Sequence, residues 1–249
     1  MNVFELLVDL HRKNPRQGPG STEVTQKAIG LTGLEGRKDL SIADIGCGTG
    51  GQTLTLAQNL DGHITAVDLF PEFLAELFSR AKNEGVDHRI STLRASMEEL
   101  PFQSEEFDLI WSEGAIYLMG FEKGIRSWKK YLKPGGIIAV SDIIWLTETR
   151  PGDLEEFWME ECPEIDTSEA KLDVLTRQGY IPLGHFVLPE ECWIENYYLP
   201  LKSSYAGFLE RQNHSKSARD LVNQDVEEYE MYLKNKDYYS YGFYIAKKV

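Results

Sequence analysis

The sequence predicts an α/β fold built on a doubly wound parallel sheet, and two observations carry this prediction. Short apolar runs typical of buried strands alternate with amphipathic segments of helical period along the first 145 residues. Glycines crowd the end of the first apolar run, in ADIGCGTGGQ at residues 43–52, where a helix then begins. Strands that alternate with helices form a parallel sheet with helices on both faces.

The elements follow one another in a regular order. The segments predicted as strands are LSIADIG, GHITAVDL, HRISTLRA, FDLIWSEG, GIIAVSDIIW, IPLGHFVL and YYSYGFYIAKKV. The fifth is preceded by a predicted turn, LKPGG. The segments predicted as regular helices are GQTLTLAQNL, PEFLAELFSRAKNEG and SEAKLDVLTRQGY. In the second helix, Pro71 stands near the start and Gly85 marks the stop.

Beyond Trp145 the alternation loosens. The segment GDLEEFWMEEC predicts an inserted helix, and residues 189–235 form a longer insertion rich in Trp, Tyr and charged residues. Two interpretations of these aromatic residues stay open: they wall an apolar or cationic acceptor pocket, or they pack the insertion onto the sheet. No repeat or linker divides the chain, so we expect one domain with a helical insertion near its C-terminus.

The balance of acidic and basic residues indicates which kinds of partner the protein can bind. The chain has 26 Lys and Arg residues against 40 Asp and Glu residues, a formal net charge of −14. Such a protein repels a phosphate backbone unless it segregates a basic face, and no run of Lys or Arg indicates one. We therefore expect no nucleic-acid partner.

Cysteine usage and hydropathy bear on the compartment. Cys47, Cys162 and Cys192 show no CxxC spacing and make an odd count, so we expect neither a metal site nor a disulfide framework. The opening segment carries Glu5 and Asp9 among its apolar residues, which favours a short amphipathic helix over a signal peptide. No stretch is long and apolar enough for a membrane span. These features predict a cytoplasmic protein without a membrane partner.

The glycine loop raises the question of its ligand. Gly46, Gly48 and Gly51 match the dinucleotide pattern GxGxxG, and Asp68 ends the next strand about 20 residues further on, where it is placed to bind a ribose. Asp44, beside the loop, separates two hypotheses. Its carboxylate would repel a pyrophosphate, whereas it would attract a ligand that carries an ammonium group, such as S-adenosylmethionine.

Five segments in order make the second hypothesis specific. ADIGCGTG, AVDL, ASMEELPF, FDLIWSEGAIYLM and YLKPGG resemble the successive motifs of class I S-adenosylmethionine-dependent methyltransferases, over about residues 40–145. The chain is similar in particular to the small-molecule branch that includes the ubiquinone and menaquinone biosynthesis methyltransferases. The resemblance implies a Rossmann-like methyltransferase fold of seven strands with the last antiparallel. It also implies S-adenosylmethionine as cofactor, with S-adenosylhomocysteine as product.

The same resemblance assigns the glycine loop to the methionine part of the cofactor. It places Asp44, Gly46 and Gly50 around that part, with the loop backbone closest from Gly46 through Cys47 to Gly48. A purely structural alternative for Asp44 is a cap for the helix that follows.

Further cofactor contacts are implied along the next strands. Asp68 should bind the ribose hydroxyls, and Leu69 should pack on the adenine face. Ser96 and Met97 should reach the adenine edge, and Glu113 should lie beside the methionine part.

An N-terminal lid and three weak catalytic candidates complete the predicted site. Similar enzymes fold an N-terminal segment over the cofactor, which makes Gln17 and Gly18 lid candidates. Methyl transfer is an in-line displacement that needs alignment more than covalent help, so a catalytic residue is not required. If a general base acts, Glu113, Asp142 and Tyr117 are the candidates that the topology favours.

Taken together, these features predict a methyltransferase that acts on a small-molecule acceptor, with a homodimer left open. The expected division is an N-terminal helix and lid segment at 1–35, a cofactor-binding core at 36–145, and substrate-side helices with the last strands at 146–249. The alternatives are a protein that binds S-adenosylmethionine without transferring its methyl group, and an NAD-dependent oxidoreductase on a similar fold.

Overall fold

The centre of the molecule is a mixed β-sheet, seen in a computed structural model that describes residues 3–249. Its strands are β1 (Leu40–Ile45), β2 (Gly62–Asp68), β3 (Ile90–Arg94), β4 (Phe107–Ser112), β5 (Leu132–Trp145), β6 (Asp166–Thr167), β7 (Tyr180–Val187) and β8 (Tyr239–Lys248). They lie in the order β3-β2-β1-β4-β5-β8-β7, and the two-residue β6 pairs with β5 outside this path.

The strand directions confirm the predicted sheet. The first five strands run parallel to their neighbours. In contrast, β8 is antiparallel to both β5 and β7, between which it lies. The fold is therefore α/β, with a mostly parallel sheet of seven main strands and an antiparallel last strand, and β6 is a short addition that the sequence did not predict.

Nine α-helices are formed by the part of the chain from residue 3 onward. They are α1 (Val3–His11), α2 (Thr22–Thr32), α3 (Gly51–Asn59), α4 (Pro71–Asn83), α5 (Phe121–Trp128), α6 (Gly152–Glu161), α7 (Ser168–Arg177), α8 (Leu199–Arg211) and α9 (Lys216–Asn235).

Local sequence signals explain several of the helix ends. The Ser21 hydroxyl accepts a hydrogen bond from the Val24 amide and caps α2. Pro71 is the first residue of α4, where its missing N–H costs nothing. Gly85, with a φ of 70°, follows the end of α4, as predicted.

An apolar core covers each face of the sheet, as the residues of β4 show. Ile110 packs into a core on one face, while Leu109 and Trp111 pack into the core on the other. All six residues of β4 are buried, which is why this strand reads as a continuous apolar run rather than an alternating one.

Strand order places the candidate site. From β1 the chain moves to β2 and β3 on one side and then crosses to β4 on the other side of β1. Ligands bind where the strand order reverses in this way, at the carboxyl ends of the strands. The glycine loop, Asp68 and Glu113 follow or end β1, β2 and β4, so all three meet at this edge.

Two sequence predictions need correction. The residues LKPGG do not form a turn before the fifth strand but belong to β5, because Leu132 already pairs with Phe107. The register shifts before Ile137 pairs with Leu109, and Gly135 takes a φ of 73° in this irregular stretch. The sequence analysis also missed α5, an eight-residue helix that contains Gly124. A Cβ there would lie 2.6 Å from a side-chain carbon of Ile116, so close packing explains a residue that usually argues against a helix.

The long insertion is helical. It contains a short 3₁₀ turn (Glu190–Cys192), a π-helical turn (Ile194–Tyr198), α8 and α9. Between residues 3 and 249, no helix combines the length and the apolar character that crossing a membrane requires.

Candidate active site

A cavity of about 350 Å³ opens at the carboxyl ends of β1, β2 and β4. The predicted site residues on its wall are Gln17, Gly18, Gly46, Cys47, Gly48, Asp68, Leu69, Ser96, Met97, Glu113 and Tyr117. Three other predicted residues, Asp44, Gly50 and Asp142, are not part of this wall.

Asp68 is held rigidly at the wall by two backbone amides. The Gly48 amide donates to Oδ2 and the Phe70 amide donates to Oδ1, each at 2.9 Å. Burial raises the pKa of this carboxyl, and the hydrogen bonds from Phe70 and Gly48 oppose that shift. Each carboxylate oxygen can accept a further hydrogen bond, so Asp68 is able to bind a pair of neighbouring hydroxyl groups.

Apolar side chains form the rest of the wall near Asp68. Leu69 is 53% exposed although it is a large apolar residue. Phe70 and Phe73 stand beside it on the wall, and their rings meet edge to face with centroids 5.5 Å apart. Met97 and Ala95 also line the cavity. This part of the wall is therefore largely apolar, as is common in small-molecule sites.

The glycine loop satisfies its own backbone donors. The amides of Gly46 and Cys47 both donate to the Val67 carbonyl, and the Gly50 amide donates to the Cys47 carbonyl. The amide of Gly48 donates to Asp68, as above, and the Thr49 amide donates to Gln17 Oε1 at 2.7 Å. Five successive N–H groups, from Gly46 to Gly50, are therefore engaged within the protein.

The glycines are required because other parts of the protein approach the loop closely. A Cβ at Gly46 would lie 2.5 Å from the Ala115 Cβ, and one at Gly48 would lie 2.2 Å from Gln17 Oε1. At Gly50 it would lie 2.1 Å from a methyl carbon of Leu77. Leu77 of α4 fills the space that a side chain at Gly50 would need, and the predicted place of Gly50 near the methionine part of the cofactor stays a prediction.

Gln17 ties the N-terminal segment to the glycine loop. In addition to accepting from the Thr49 amide, its side-chain amide donates to Thr49 Oγ1 at 3.0 Å and to the His11 carbonyl at 3.2 Å. Arg80 of α4 reinforces this link, because its guanidinium donates to the Asn14 carbonyl at 2.8 Å and to Thr49 Oγ1 at 3.0 Å. Gln17 and Gly18 are thereby fixed over one side of the cavity.

Glu113 anchors the same segment to β4. Its carboxylate forms a buried ion pair with Arg16 at 2.7 Å, and it accepts hydrogen bonds from Thr25 at 2.7 Å and Trp111 Nε1 at 2.9 Å. Three side chains donate to this carboxylate, one of them the guanidinium of Arg16. Glu113 lines the cavity, and a role as general base stays a prediction.

Asp44 lies behind the loop rather than in the cavity. It is fully buried, and it accepts hydrogen bonds from Thr53 at 2.6 Å and from Gln52 at 3.3 Å. Burial raises its pKa to about 7, and Glu113 adds to this shift. The carboxylate thus holds the first turns of α3 through Thr53 and Gln52, of which Gln52 lines the cavity, and a ligand contact of Asp44 itself stays a prediction.

Asp142 is also a structural residue. Neighbouring strand residues point to opposite faces of a sheet, so Asp142 faces away from the side on which Ile143 packs. Its Oδ2 atom forms a fully buried ion pair with Lys171 Nζ at 2.5 Å. Burial raises its pKa, and Lys171 opposes the shift. Asp142 is therefore engaged in an ion pair away from the cavity, and a role as catalytic base stays a prediction.

Tyr117 stands where two cavities meet. A second, smaller cavity of about 170 Å³ shares Gln17, Gly18, Pro19, Gly114 and Tyr117 with the first. Burial raises the pKa of Tyr117 to about 12, with nearby acidic groups adding to the shift. The phenol is therefore neutral and able to donate a hydrogen bond, which makes it a positioning group rather than a base.

The sequence analysis missed two residues that organise the site, Arg16 and Arg80. Arg16 lies in a loop and Arg80 lies in an amphipathic helix, and the partners of both lie far away in the chain. Arg16 pairs with Glu113 across 97 residues, and Arg80 reaches Asn14 across 66. No local pattern in the sequence distinguishes these arginines from solvated ones.

Comparisons with known proteins agree with this geometry. Residues 42–136 match the family model of the methyltransferase domain. The chain is 31% identical over 185 residues to the erythromycin 3''-O-methyltransferase of Saccharopolyspora erythraea, covering 73% of this chain and 54% of that protein. It spans about half or less of the length of this and the other curated relatives considered.

Solved structures share the fold at low sequence identity. A methyltransferase from Geobacter sulfurreducens in complex with S-adenosylhomocysteine superposes with a TM-score of 0.86 at 18% identity, over 98% of both chains. A methyltransferase from Thiobacillus denitrificans in complex with the same ligand gives 0.84 at 19% identity, over 100% of this chain and 99% of that one.

The sheet order, the loop after β1 and the acidic end of β2 define a Rossmann-like protein with its ligand cavity at the strand-order reversal. Residues 42–136 match a methyltransferase domain, and the whole chain shares its fold with S-adenosylmethionine-dependent methyltransferases.

Proposed function

We propose that the protein transfers a methyl group from S-adenosylmethionine to a small-molecule acceptor. The observation that carries this proposal is the pair of adjoining cavities, which share a wall at Gln17–Pro19, Gly114 and Tyr117. A donor in the first cavity and an acceptor in the second would meet at that wall. The arrangement suits a direct displacement, which depends on bringing two reactants into line.

The donor assignment follows the chemistry of the first cavity. Asp68 would accept hydrogen bonds from the ribose hydroxyls, and Leu69 with Phe70 would cover the adenine. Ser96 and Met97 would lie along the adenine edge. The loop from Gly46 to Gly48, with Gln17 and Glu113 nearby, would surround the methionine part. The amides from Gly46 to Gly50 are already engaged within the protein, which leaves fewer donors in the loop for the pyrophosphate of a dinucleotide.

The chain's own residues contribute alignment and exclusion of water. When bound, S-adenosylmethionine supplies an activated methyl group on its sulfonium sulfur. The segment from Gln17 to Pro19 covers the shared wall, and its links to Thr49 and Arg80 hold it in place. Because Glu113 and Asp142 are engaged in buried ion pairs, no base is assigned, and positioning by Tyr117 and the cavity walls is the proposed catalytic contribution.

Calorimetric titration with S-adenosylmethionine, S-adenosylhomocysteine and NAD tests the donor assignment. We expect saturable binding of the two sulfur ligands and none of NAD. Asp68→Ala should weaken S-adenosylmethionine binding by about 10- to 100-fold, which is the scale of losing charge-assisted hydrogen bonds. Asp61→Ala is the matched control, because Asp61 is half-exposed and pairs only with the surface residue Lys38.

A transfer assay tests the second half of the proposal. Labelled methyl should move from S-adenosylmethionine into the low-mass fraction of a cell extract, and the Asp68→Ala variant should reduce this transfer. Binding without any transfer would favour a protein that only holds S-adenosylmethionine. Binding of NAD alone would contradict the donor assignment and favour an oxidoreductase.

A further inference from the structure

The smaller cavity has a composition unlike that of its neighbour. Beyond the shared wall, aromatic side chains from the helical insertion and the last strand surround it, among them Trp158, Trp193, Tyr197 and Tyr241. The charged side chains on the same wall are Glu161, at the end of α6, and Glu228, in α9. No Lys, Arg or His of residues 3–249 belongs to this wall. The cavity is therefore aromatic and acidic at once.

Glu228 has little compensation for its charge. Its Oε1 atom accepts a hydrogen bond from the Tyr198 hydroxyl at 3.0 Å. Burial raises its pKa, with Glu161 adding to the shift and the Tyr198 hydrogen bond opposing it. A buried carboxylate needs a cation or several donors to offset the loss of hydration, and this one has a single neutral donor.

A second acidic group lies one helical turn before Glu228. Oδ2 of Asp225 is buried and has no hydrogen-bond partner within residues 3–249. Burial, together with the nearby Glu228, raises the pKa of Asp225 to about 7. The charge of Glu228 thus disfavours the ionisation of Asp225, which is not itself part of the cavity wall, and a positive charge beside Glu228 would offset this repulsion.

The aromatic walls favour the same kind of ligand. The faces of Trp and Tyr rings attract cations, and they do so most strongly where water is excluded. In addition, the Trp158 Nε1 atom is buried without a partner among residues 3–249, which leaves a donor free for an oxygen or other acceptor atom of a ligand. An ordinary apolar ligand would leave both the carboxylates and this donor unsatisfied.

From these contacts we infer that the acceptor is a small organic amine, bound as its ammonium ion between Glu228, Glu161 and the aromatic walls of the smaller cavity. This inference rests on the proposed methyl transfer, since it names the class of acceptor for that reaction. The ammonium ion serves for recognition; because its nitrogen has no lone pair, the methyl group goes to another nucleophilic atom of the acceptor, or to this nitrogen only after it has lost a proton to solvent.

Matched probes that differ only in charge test the inference. Choline and 3,3-dimethylbutan-1-ol have nearly the same shape, but the first has a quaternary nitrogen where the second has a neutral carbon. Calorimetric titration in saturating S-adenosylhomocysteine should show choline binding at least about tenfold more tightly, the scale of a desolvated cation–π contact with a carboxylate nearby. Trimethylammonium and 2-methylpropan-2-ol form a smaller pair, in case choline exceeds the cavity.

Two double variants test whether the preference for the charged probe arises in the smaller cavity. The double variant Glu161→Gln/Glu228→Gln should reduce the charge preference to near unity. The matched control Glu160→Gln/Glu227→Gln removes two exposed charges from the same helices, and this variant should keep the preference for the charged probe. Thermal unfolding and S-adenosylhomocysteine affinity, unchanged in both, show that the fold and the donor cavity are intact.

The outcomes of these titrations distinguish a failure of the amine inference from a failure of the proposed methyl transfer. If S-adenosylhomocysteine binds but neither cation exceeds its neutral partner, the amine inference is overturned and the proposed methyl transfer stands. The amine inference is also overturned if the Glu161→Gln/Glu228→Gln variant still binds the cation more tightly than its neutral partner. If the wild-type protein fails to bind S-adenosylmethionine or S-adenosylhomocysteine, the proposed function falls, and with it the acceptor role of the smaller cavity.

Discussion

At the scale of single residues, the glycine loop shows how one pattern serves two purposes. The sequence ADIGCGTGG suggested a backbone open to a ligand. The structure places Ala115, Gln17 and Leu77 against Gly46, Gly48 and Gly50 respectively. Gly46 and Gly48 also line the cavity, so at these two positions close packing and ligand access coincide. At Gly50 packing alone accounts for the glycine.

We expect Gly46→Ala to destabilise the protein more than Gly33→Ala. Both glycines have positive φ, at 76° and 65°, which costs about 1–2 kcal/mol for other residues. Only Gly46 also faces a close contact, because its new Cβ would lie 2.5 Å from the Ala115 Cβ, whereas nothing lies within 4 Å at Gly33. Overpacking adds about 1–3 kcal/mol. Urea unfolding of the two variants measures the difference, and equal losses would show that packing at Gly46 is unimportant.

At the scale of elements, the N-terminal segment is bound to three parts of the core. Gln17 inserts into the glycine loop, Arg80 holds the segment from α4, and Arg16 reaches Glu113 after β4. The Gly20 amide also donates to the Cys192 carbonyl in the helical insertion. The segment from Asn14 to Gly20 therefore joins the core to the insertion at the shared wall of the two cavities.

We expect Arg16→Met to destabilise the protein by about 3–5 kcal/mol, because it leaves the Glu113 carboxylate buried without its cation. The side chains of Arg16 and Glu113 are only 9% and 4% exposed. Arg12→Met is the control, since Arg12 is 42% exposed and its pair with Asp9 should contribute at most about 1 kcal/mol. Unfolding in urea measures both losses.

The Arg16→Met/Glu113→Gln double variant distinguishes the cause. Removing both charges should recover part of the lost stability, because the penalty comes from the uncompensated carboxylate. A loss below about 1 kcal/mol for Arg16→Met would show that this ion pair does not hold the segment.

At the scale of the whole molecule, acidic character dominates the surface and reaches the smaller cavity. The net charge of −14 argues against a nucleic-acid substrate and suits a cationic small molecule. The net negative charge of the protein and the acidic wall of the smaller cavity thus both favour positively charged ligands.

We expect no measurable binding of duplex DNA or single-stranded RNA at micromolar protein, even at about 50 mM salt, where phosphate contacts are strongest. Fluorescence anisotropy of labelled oligonucleotides measures this, with a basic nucleic-acid-binding protein as positive control. Binding that weakens steeply as salt increases would reveal a basic face and contradict the expectation.

Much of the fold and part of the site followed from local sequence patterns. The alternation of apolar runs and amphipathic segments determined the strands and most helices, and the order of five motifs indicated the resemblance to methyltransferases that the domain match supports. The placement of Asp68 at the end of β2 and of the loop after β1 also followed, because chain position relative to a parallel strand decides which edge a residue reaches.

Tertiary packing decided the roles of the charged residues. The sequence placed Asp44, Glu113 and Asp142 near strand ends, but their partners come from other elements: Thr53 for Asp44, Arg16 for Glu113 and Lys171 for Asp142. For Glu113 and Asp142, these partners lie 97 and 29 residues away in the chain. The same holds for the smaller cavity, whose acidic and aromatic walls come from α6, the insertion and the last strand. Local periodicity specifies which residues form a strand or helix, whereas the burial and pairing of a charge depend on segments that meet only when the chain is folded.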